Sequence, residues 1–279
     1  MQSVFVRHNC SSTAHILQQL WERRLVALHY NDDYSTDPSD YYPAGRKALE
    51  RLWNYSKDGA IVGADYRRFD GSKMLVGFLE RGSRVFAEEF RDPHSGESFV
   101  YKLAALSKAV EVKYADYPLL VGVQPRQATI TGWPSAEGVL LAALHGQSLP
   151  RKPNSLHPSQ LEVLCYEWLR NSGQLERLVL PIGRGLIDID ILGTNRAGKR
   201  IIAQVTYSKN AADLADKQSR LLRHARDSDT VYFFLPEKAP LEPHPSVKVV
   251  PFERVLKDLE DNSDASTQAM LREMFAEYS

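Results

Sequence analysis

The stretch Gly185-Leu-Ile-Asp-Ile-Asp-Ile-Leu-Gly193, followed by a short turn and by Arg200-Ile-Ile-Ala-Gln-Val-Thr-Tyr-Ser-Lys209, decides the fold of this chain. Two runs rich in β-branched residues around a turn containing Asn and Gly predict a β-hairpin. Side chains alternate between the two faces of a strand. The apolar face is expected to contain Ile187, Ile189, Ile191, Ile201, Ala203 and Val205. The opposite face is expected to bring together Asp188, Asp190, Gln204 and Thr206.

Two carboxylates stand in the middle of this apolar strand, at Asp188 and Asp190. Buried charges are costly unless they are paired or bind a metal. The hairpin is therefore the candidate active site. A structural alternative remains, in which the two carboxylates pair with Arg184 or Arg200 and Gln204 caps a sheet edge.

The charge of the chain is distributed unevenly. The 279 residues suffice for two domains or one large one, 43% are hydrophobic, and the formal net charge is zero. Bulk charge therefore gives no argument for nucleic acid as a partner. Residues 184–226, however, contain nine Lys and Arg against four Asp, whereas residues 258–277 contain six acids against one Arg. The basic segment coincides with the candidate site.

The cysteines and the first residues of the chain indicate the cellular compartment. Cys10 and Cys165 lie far apart, so they form no zinc site and are expected to be reduced thiols. Met1 to His8 lack the long apolar core of a signal peptide, and no apolar run approaches the length that spans a bilayer. The sequence predicts a cytoplasmic protein without a membrane partner.

Residues 1–150 contain two helical patterns and many short apolar runs, including Leu119–Val123, separated by Gly, Pro and Asp. This pattern predicts a smaller α+β, β-barrel-like domain. It holds three of the four Trp and nine of the thirteen Tyr. Most of these aromatics are expected in the core, and some could stack on a nucleobase. We interpret residues 1–150 as a target-recognition domain, joined by the polar segment His145–His157.

Residues 156–279 predict an α/β domain, with a mixed sheet flanked by helices and an acidic helical tail. A helix from Pro158 to about Asn171 ends at Gly173, and Glu162 flanks its apolar stripe. A second helix, Asp213 to Asp227, follows the hairpin. Its cations are expected to bind the nucleic-acid backbone, unless they form an ordinary solvated face: Lys217, Arg220, Arg223 and Arg226.

Residues 156–260 resemble the PD-(D/E)xK nuclease superfamily, and within it the Mrr-like restriction endonucleases. The resemblance rests on Glu162 in the first helix, Gly173 at its end, Asp190 in an apolar strand with Asp188 two residues earlier, and Gln204 in the next strand. The N-terminal domain is faintly similar to PUA- or EVE-like modified-base readers.

The resemblance implies a restriction or antiphage endonuclease that cuts DNA, including modified DNA, with Mg²⁺ or Mn²⁺. Asp190, the side-chain oxygen of Gln204, and Glu162 through water would hold the metal, and Asp188 is a further catalytic candidate. Cleavage of both strands needs two active sites, which predicts a homodimer.

One position departs from the family pattern. The family lysine, two residues after Gln204, is Thr206 here, and a hydroxyl cannot supply its positive charge. Lys209 is the predicted substitute, provided that the strand ends near Tyr207–Ser208. Two other functions remain open: a DNA-binding module with a degenerate nuclease fold, and a regulatory protein whose acids only form ion pairs.

Overall fold

The structure, a computed structural model, describes residues 1–8, 13–126, 128–183, 188–242 and 244–277. The chain divides into two compact units, the first of Met1–Leu149 together with the end of the chain from Ala276, and the second of Pro150–Phe275. No helix among the described residues is long and apolar enough to cross a membrane.

The first unit contains eight strands and four helices within its described residues. Its strands are β1 (Gln2–Arg7), β2 (Leu25–Leu28), β3 (Ala60–Asp65), β4 (Lys73–Leu79), β5 (Phe86–Arg91), β6 (Ser98–Ala105), β7 (Ser107–Lys113) and β8 (Ile130–Gly132). Its helices are α1 (Ala14–Glu22), α2 (Pro43–Asp58), α3 (Leu119–Gly122) and α4 (Glu137–His145).

These strands form two open sheets in the described part of the unit. One has five strands in the order β7-β4-β3-β1-β8, and the other has three in the order β2-β6-β5. β1 and β3 pair in parallel, and the crossover between them contains α1 and α2. Parallel neighbours require such a crossover, which an up-and-down barrel lacks. The predicted smaller, barrel-like domain is therefore corrected to the larger unit with two sheets.

Local chemistry explains one further difference in the first unit. The run Leu119–Val123, predicted as a strand, contains the short helix α3 instead. Pro118 precedes it in the right-handed helical region (φ −61°, ψ −23°), and the N–H of Val121 donates to the carbonyl of Pro118. A fixed proline φ suits the first turn of a helix, so the apolar run continues as a turn.

The second unit is a mixed α/β layer structure. Its strands are β9 (Arg177–Leu178), β10 (Ile191–Thr194), β11 (Arg200–Val205), β12 (Thr230–Leu235) and β13 (Val247–Pro251). Its helices are α5 (Pro158–Asn171), α6 (Ala211–Arg223), α7 (Phe252–Glu260) and α8 (Ala265–Met274). The sheet order is β13-β12-β11-β10-β9. β11, β12 and β13 are parallel, whereas β10 is antiparallel to both of its neighbours.

The apolar strand β12 shows how the layers are held together. Phe233 joins Leu214 and Leu221 of α6 in one buried cluster. Its neighbours Tyr232 and Phe234 make edge contacts with the ring of Trp168 on α5. Helices on both faces bury the strand completely, as its continuous apolar sequence predicts. The predicted mixed α/β class is present, and it places β10 and β11 between the two helices.

Candidate active site

Asp190 immediately precedes β10, and its side chain lies beside that of Gln204 on β11. Its backbone N–H donates to the carbonyl of Ala203 at 2.9 Å. Its Oδ2 accepts hydrogen bonds from Nε2 of Gln204 and from the backbone N–H of Val205, both at 2.7 Å. The structure thus brings together the two residues that strand alternation predicted. Neither bond uses Oδ1.

The side-chain oxygen of Gln204 is buried without a hydrogen-bond partner. The residue as a whole is 7% exposed. An unsatisfied buried acceptor costs about 1–3 kcal/mol, so it calls for a ligand or an ordered water. Because the amide nitrogen already binds Asp190, the oxygen is the polar atom of this side chain that is left without a partner.

Glu162 on α5 is the second acidic group of the site. Burial, and secondarily the charge of Asp190, raise the pKa of Glu162 to about 7. Gly183 has a φ of +68°, and the place where its β-carbon would stand is taken by Oε2 of Glu162. The N–H of Gly183 donates to the carbonyl of Asp190 at 3.0 Å. A glycine turn therefore fits the Glu162 carboxyl against the segment that leads to Asp190.

The pKa of the Asp190 carboxyl is raised as well. Burial raises its pKa, and the charge of Asp188 adds to the rise. The N–H of Val205 and the ammonium of Lys217 act in the opposite direction. Carboxyls with raised pKa that influence one another are characteristic of functional sites. A bound cation would favour the charged form of both carboxyls, Glu162 and Asp190.

Thr206 is 5% exposed and follows β11 directly. The ammonium that contacts it belongs to Lys217 of α6, whose Nζ donates to Oγ1 of Thr206 at 2.9 Å. Lys209, the lysine predicted for this position, is exposed in the loop between β11 and α6. The strand does end before Tyr207, as that prediction required, but the loop presents Lys209 to solvent.

Asp188 faces Arg220 of α6 and the C-cap residue His224. Its Oδ1 lies 3.3 Å from NH1 of Arg220, and its Oδ2 lies 3.8 Å from Nε2 of His224. The partner expected in the structural alternative, Arg200, pairs with Asp229 at 3.2 Å instead. Arg184, together with Ile187, lies outside the described residues. Asp188 is thus an ion-pair partner of α6, whereas Asp190 is not.

The four predicted DNA-binding cations of α6 and the loop after it fall into two classes. Lys217 and Arg220 bind acids of their own helix, at 3.2 Å from Asp213 and 2.9 Å from Asp216 respectively. Arg223 and Arg226 are exposed. The first two are thus held by ion pairs within the helix, whereas Arg223 and Arg226 are more open to solvent.

The donors at the hairpin fit a hard divalent cation. Among the described residues, no group of three or more His, Cys, Asp or Glu side chains is placed to hold a metal ion. Asp190, Glu162 and the Gln204 oxygen are nevertheless all oxygen donors. Mg²⁺ prefers oxygen, keeps several waters and commonly uses only one or two carboxylates of the protein. The unpartnered Gln204 oxygen is the atom that favours this fit.

One exposed aromatic residue of the first unit, Trp53, borders a cavity of about 580 Å³. The cavity is lined by Thr36, Asp37, Pro38, Glu50, Trp53 and Asn54. Trp53 is 38% exposed, and its indole N–H donates to the carbonyl of Thr36 at 2.8 Å. The hydrogen bond fixes the ring while leaving part of it open to a ligand. Trp53 is therefore one aromatic residue at which the predicted base stacking can be tested.

Sequence reasoning missed two features of the active site. The proximity of Gly183 to Glu162 joins residues far apart in the chain, and only the position of Gly183 before the Asp strand hinted at it. Lys217 was expected among DNA-binding cations rather than beside Thr206. Its position in the middle of α6 carried no signal of that contact.

No protein-family model matches the chain, and neither does any curated protein. Two solved structures are weakly similar. One, described as "Structure of EndoMS-dsDNA2 complex", has 14% identity, covers 67% of this chain and 69% of its own, and gives a TM-score of 0.19. The other, a repair endonuclease from Pyrococcus abyssi, has 9% identity. The match covers 85% of this chain and 95% of the other, with a TM-score of 0.22. These TM-scores are too low to support a shared fold or activity.

Proposed function

We propose that this chain is a metal-dependent endonuclease that hydrolyses phosphodiester bonds in DNA. The observation that carries the proposal is the buried, unpartnered oxygen of Gln204 beside the Asp190 carboxylate, which Gln204 itself helps to hold. A purely structural Gln–Asp contact would gain nothing from leaving that oxygen unsatisfied. The resemblance of residues 156–260 to Mrr-like nucleases supplies the reaction.

Mg²⁺ or Mn²⁺ would be held by Asp190, the Gln204 oxygen and, through water, Glu162. When bound, the metal lowers the pKa of a water ligand and neutralises charge on the scissile phosphate. Two hydrogen bonds fix the Asp190 carboxylate from the protein side. Replacing the family Glu by Gln204 removes one negative charge, so metal affinity is expected to be modest.

Glu162 is suited to receive the proton of the attacking water. Its pKa of about 7 lies near neutral pH, where a general base combines availability with proton affinity. The Gly183 turn leaves room for its carboxyl and is itself hydrogen-bonded to the carbonyl of Asp190. Asp188 acts through its ion pairs with α6 in this scheme and does not contact the substrate.

The biological setting that we propose is restriction or antiphage defence, with the first unit as the reader of the target. The resemblance supports this setting, including action on modified DNA and a homodimer that cuts both strands. The fixed, partly exposed ring of Trp53 supports a base-stacking role for the first unit.

Plasmid cleavage tests the proposed reaction. The purified chain is incubated with methylated and unmodified supercoiled plasmid, in Mg²⁺, in Mn²⁺ and in EDTA. Nicked or linear products with either metal, and none in EDTA, are expected. A chain that binds duplex DNA but cleaves neither plasmid under any of these conditions would refute the enzyme.

A second function, a DNA-binding module with a degenerate nuclease fold, is favoured by one observation. Thr206 stands where the family lysine would be, and the exposed Lys209 does not restore it. This alternative predicts DNA affinity that is insensitive to EDTA, together with no cleavage. The plasmid assay paired with a binding measurement in EDTA separates the two functions.

A further inference from the structure

The contact between Lys217 and Thr206 joins α6 to the end of β11. Thr206 is anchored on its other side, because its backbone N–H donates to the carbonyl of Phe234 on β12 at 3.0 Å. Its hydroxyl oxygen also accepts the N–H of Ser208 at 3.2 Å. The threonine is therefore a fixed point, and the lysine ammonium 2.9 Å away is fixed by it.

The helix that carries Lys217 is itself well placed. Oδ1 of Asn210 caps α6 by accepting the N–H of Asp213 at 3.1 Å. Leu214 and Leu221 anchor one side of the helix in the core under β12. Lys217 lies between these two leucines in sequence, and its side chain reaches the sheet at the Asp190 site, where its charge favours the ionised form of that carboxyl.

The ammonium of Lys217 retains capacity for a ligand. A lysine ammonium has three N–H donors. Thr206 at 2.9 Å and Asp213 at 3.2 Å occupy two of them. The third is available to an oxygen of a phosphate that approaches the Asp190 carboxylate. Lys209, exposed in the preceding loop, has no such anchoring contact with Thr206.

We propose that Lys217 is the catalytic lysine of this site. It is supplied from α6 and takes the role of the family lysine, whose position in the sequence is held by Thr206. The inference rests on the proposed nuclease function and deepens it. Lys217 would contact a non-bridging oxygen of the scissile phosphate, while Thr206 holds its ammonium in place. One positive charge would thereby stand beside residue 206 although that residue is a threonine.

The hydrolysis step that Lys217 assists is balanced without consuming the lysine. The oxygen of the attacking water forms the new bond to phosphorus as the bond to the leaving oxygen breaks. The proton of the water passes to the Glu162 carboxylate, and the leaving oxygen takes a proton from solvent. Lys217 stays protonated throughout and stabilises the negative charge that grows on the non-bridging oxygen.

The test compares four variants with the wild type in single-turnover cleavage: Lys217→Met, Lys217→Arg, Lys209→Met and the double variant Lys217→Met/Thr206→Lys. Removing one preorganised electrostatic donor typically lowers the rate by about 10²–10³-fold. Lys217→Met is expected to lose that much, Lys217→Arg less, and the double variant is expected to recover most of the loss. Lys238→Met, an exposed lysine in the loop after β12, is the matched control.

A second readout does not depend on cleavage. Lysines of the wild type are acetylated with and without duplex DNA in Ca²⁺, and their modification is followed by mass spectrometry. Bound DNA is expected to protect Lys217 strongly, and Lys209 and Lys238 little. Melting temperatures confirm folding of each variant, and DNA affinity in Ca²⁺ should fall by less than about fivefold in Lys217→Met, since one phosphate contact is a small part of the total.

The outcomes separate the inference from the function on which it rests. If the wild type cleaves and Lys217→Met cleaves equally well, the lysine assignment fails while the nuclease stands. If Lys209→Met alone loses activity, the predicted loop lysine replaces Lys217. If the wild type does not cleave, the proposed function fails, and a Lys217 that DNA leaves unprotected overturns the inference as well.

Discussion

The carboxyl of Glu162 fills the space beside Gly183 that any side chain at residue 183 would need. Oε2 of Glu162 occupies the place of the missing β-carbon of Gly183, whose φ of +68° already favours glycine. The same glycine donates its N–H to the carbonyl of Asp190. One residue without a side chain thus sets the position of Glu162 and ties it to the segment carrying Asp190.

Replacing this glycine should damage the site more than the fold. Gly183→Ala must accept a strained left-handed residue, at about 1–3 kcal/mol, and must also displace the Glu162 carboxyl. Gly173→Ala is the matched control, because its φ is also +68° and nothing lies within 4 Å of the added carbon. Urea denaturation measures stability, and Mg²⁺ titration calorimetry measures metal affinity.

Both glycine variants should lose similar stability, but only Gly183→Ala should bind Mg²⁺ more weakly, by about tenfold, since groups that orient metal ligands typically contribute about 10–100-fold. Equal metal affinity in the two variants would show that Gly183 does not position Glu162.

Stability should depend on pH through Glu162. Its folded pKa of about 7 exceeds the ordinary value of 4.5, so the protonated form is favoured in the folded state. The stabilisation is complete below about pH 4.5 and is lost as pH rises toward about pH 7. Glu162→Gln removes this dependence. Unfolding midpoints across that window should therefore converge at low pH, with the variant becoming the more stable protein at high pH; parallel curves would contradict the raised pKa.

Two exposed arginines, Arg223 at the end of α6 and Arg226 in the loop after it, should contribute to DNA affinity through phosphate contacts. Each contact removed lowers the slope of log K against log salt by about 0.9 for duplex DNA, without altering sequence preference. Arg223→Ala/Arg226→Ala is expected to reduce the slope by up to about 2. Anisotropy over a salt series measures it, with Lys238→Ala as the control, and an unchanged slope would make these residues a solvated face.

The first unit should bind DNA with Trp53 against a base. Stacking on an aromatic contributes about 1–3 kcal/mol per base, so Trp53→Ala should weaken binding of the preferred duplex by about fivefold or more, whereas Trp53→Phe should retain most of it. Anisotropy with methylated and unmodified duplexes in EDTA provides the measurement. Wild-type affinity in Trp53→Ala would remove this residue from the reader surface.

The sequence predicted those parts of the site that depend on local periodicity. Strand alternation predicted that Asp190 and Gln204 share a face, and a hydrogen bond joins their side chains although Asp190 lies one residue before β10. The apolar strand β12 and the glycine after α5 were likewise readable from pattern. Asp188 departs from the predicted shared face because β10 begins only at Ile191, and the turn before it directs that carboxylate to Arg220.

Contacts that depend on packing could not be predicted in this way. Lys217 meets Thr206 only because α6 packs under β12 at one particular rotation, which its leucines set jointly with the sheet. The Gly183 turn meets Glu162 because a loop and a helix converge. Neither geometry follows from spacing along the chain, and each replaces a role that the pattern assigned elsewhere, to Lys209 in the first case.

Asp190 is proposed to hold the catalytic metal, and single-turnover cleavage by Asp190→Asn is the measurement that tests this role. An Asn oxygen can still accept from Gln204 and Val205, so folding should be preserved. Loss of a metal ligand removes several kcal/mol of transition-state stabilisation, equivalent to about 10²-fold or more in rate. We expect the wild type to cut duplex DNA in Mg²⁺ but not in EDTA. Asp190→Asn should fold and should cut more slowly by at least that factor, and Asp188→Asn should lose less of the cleavage rate. A folded Asp190→Asn that cuts at the wild-type rate would contradict the proposed role of Asp190.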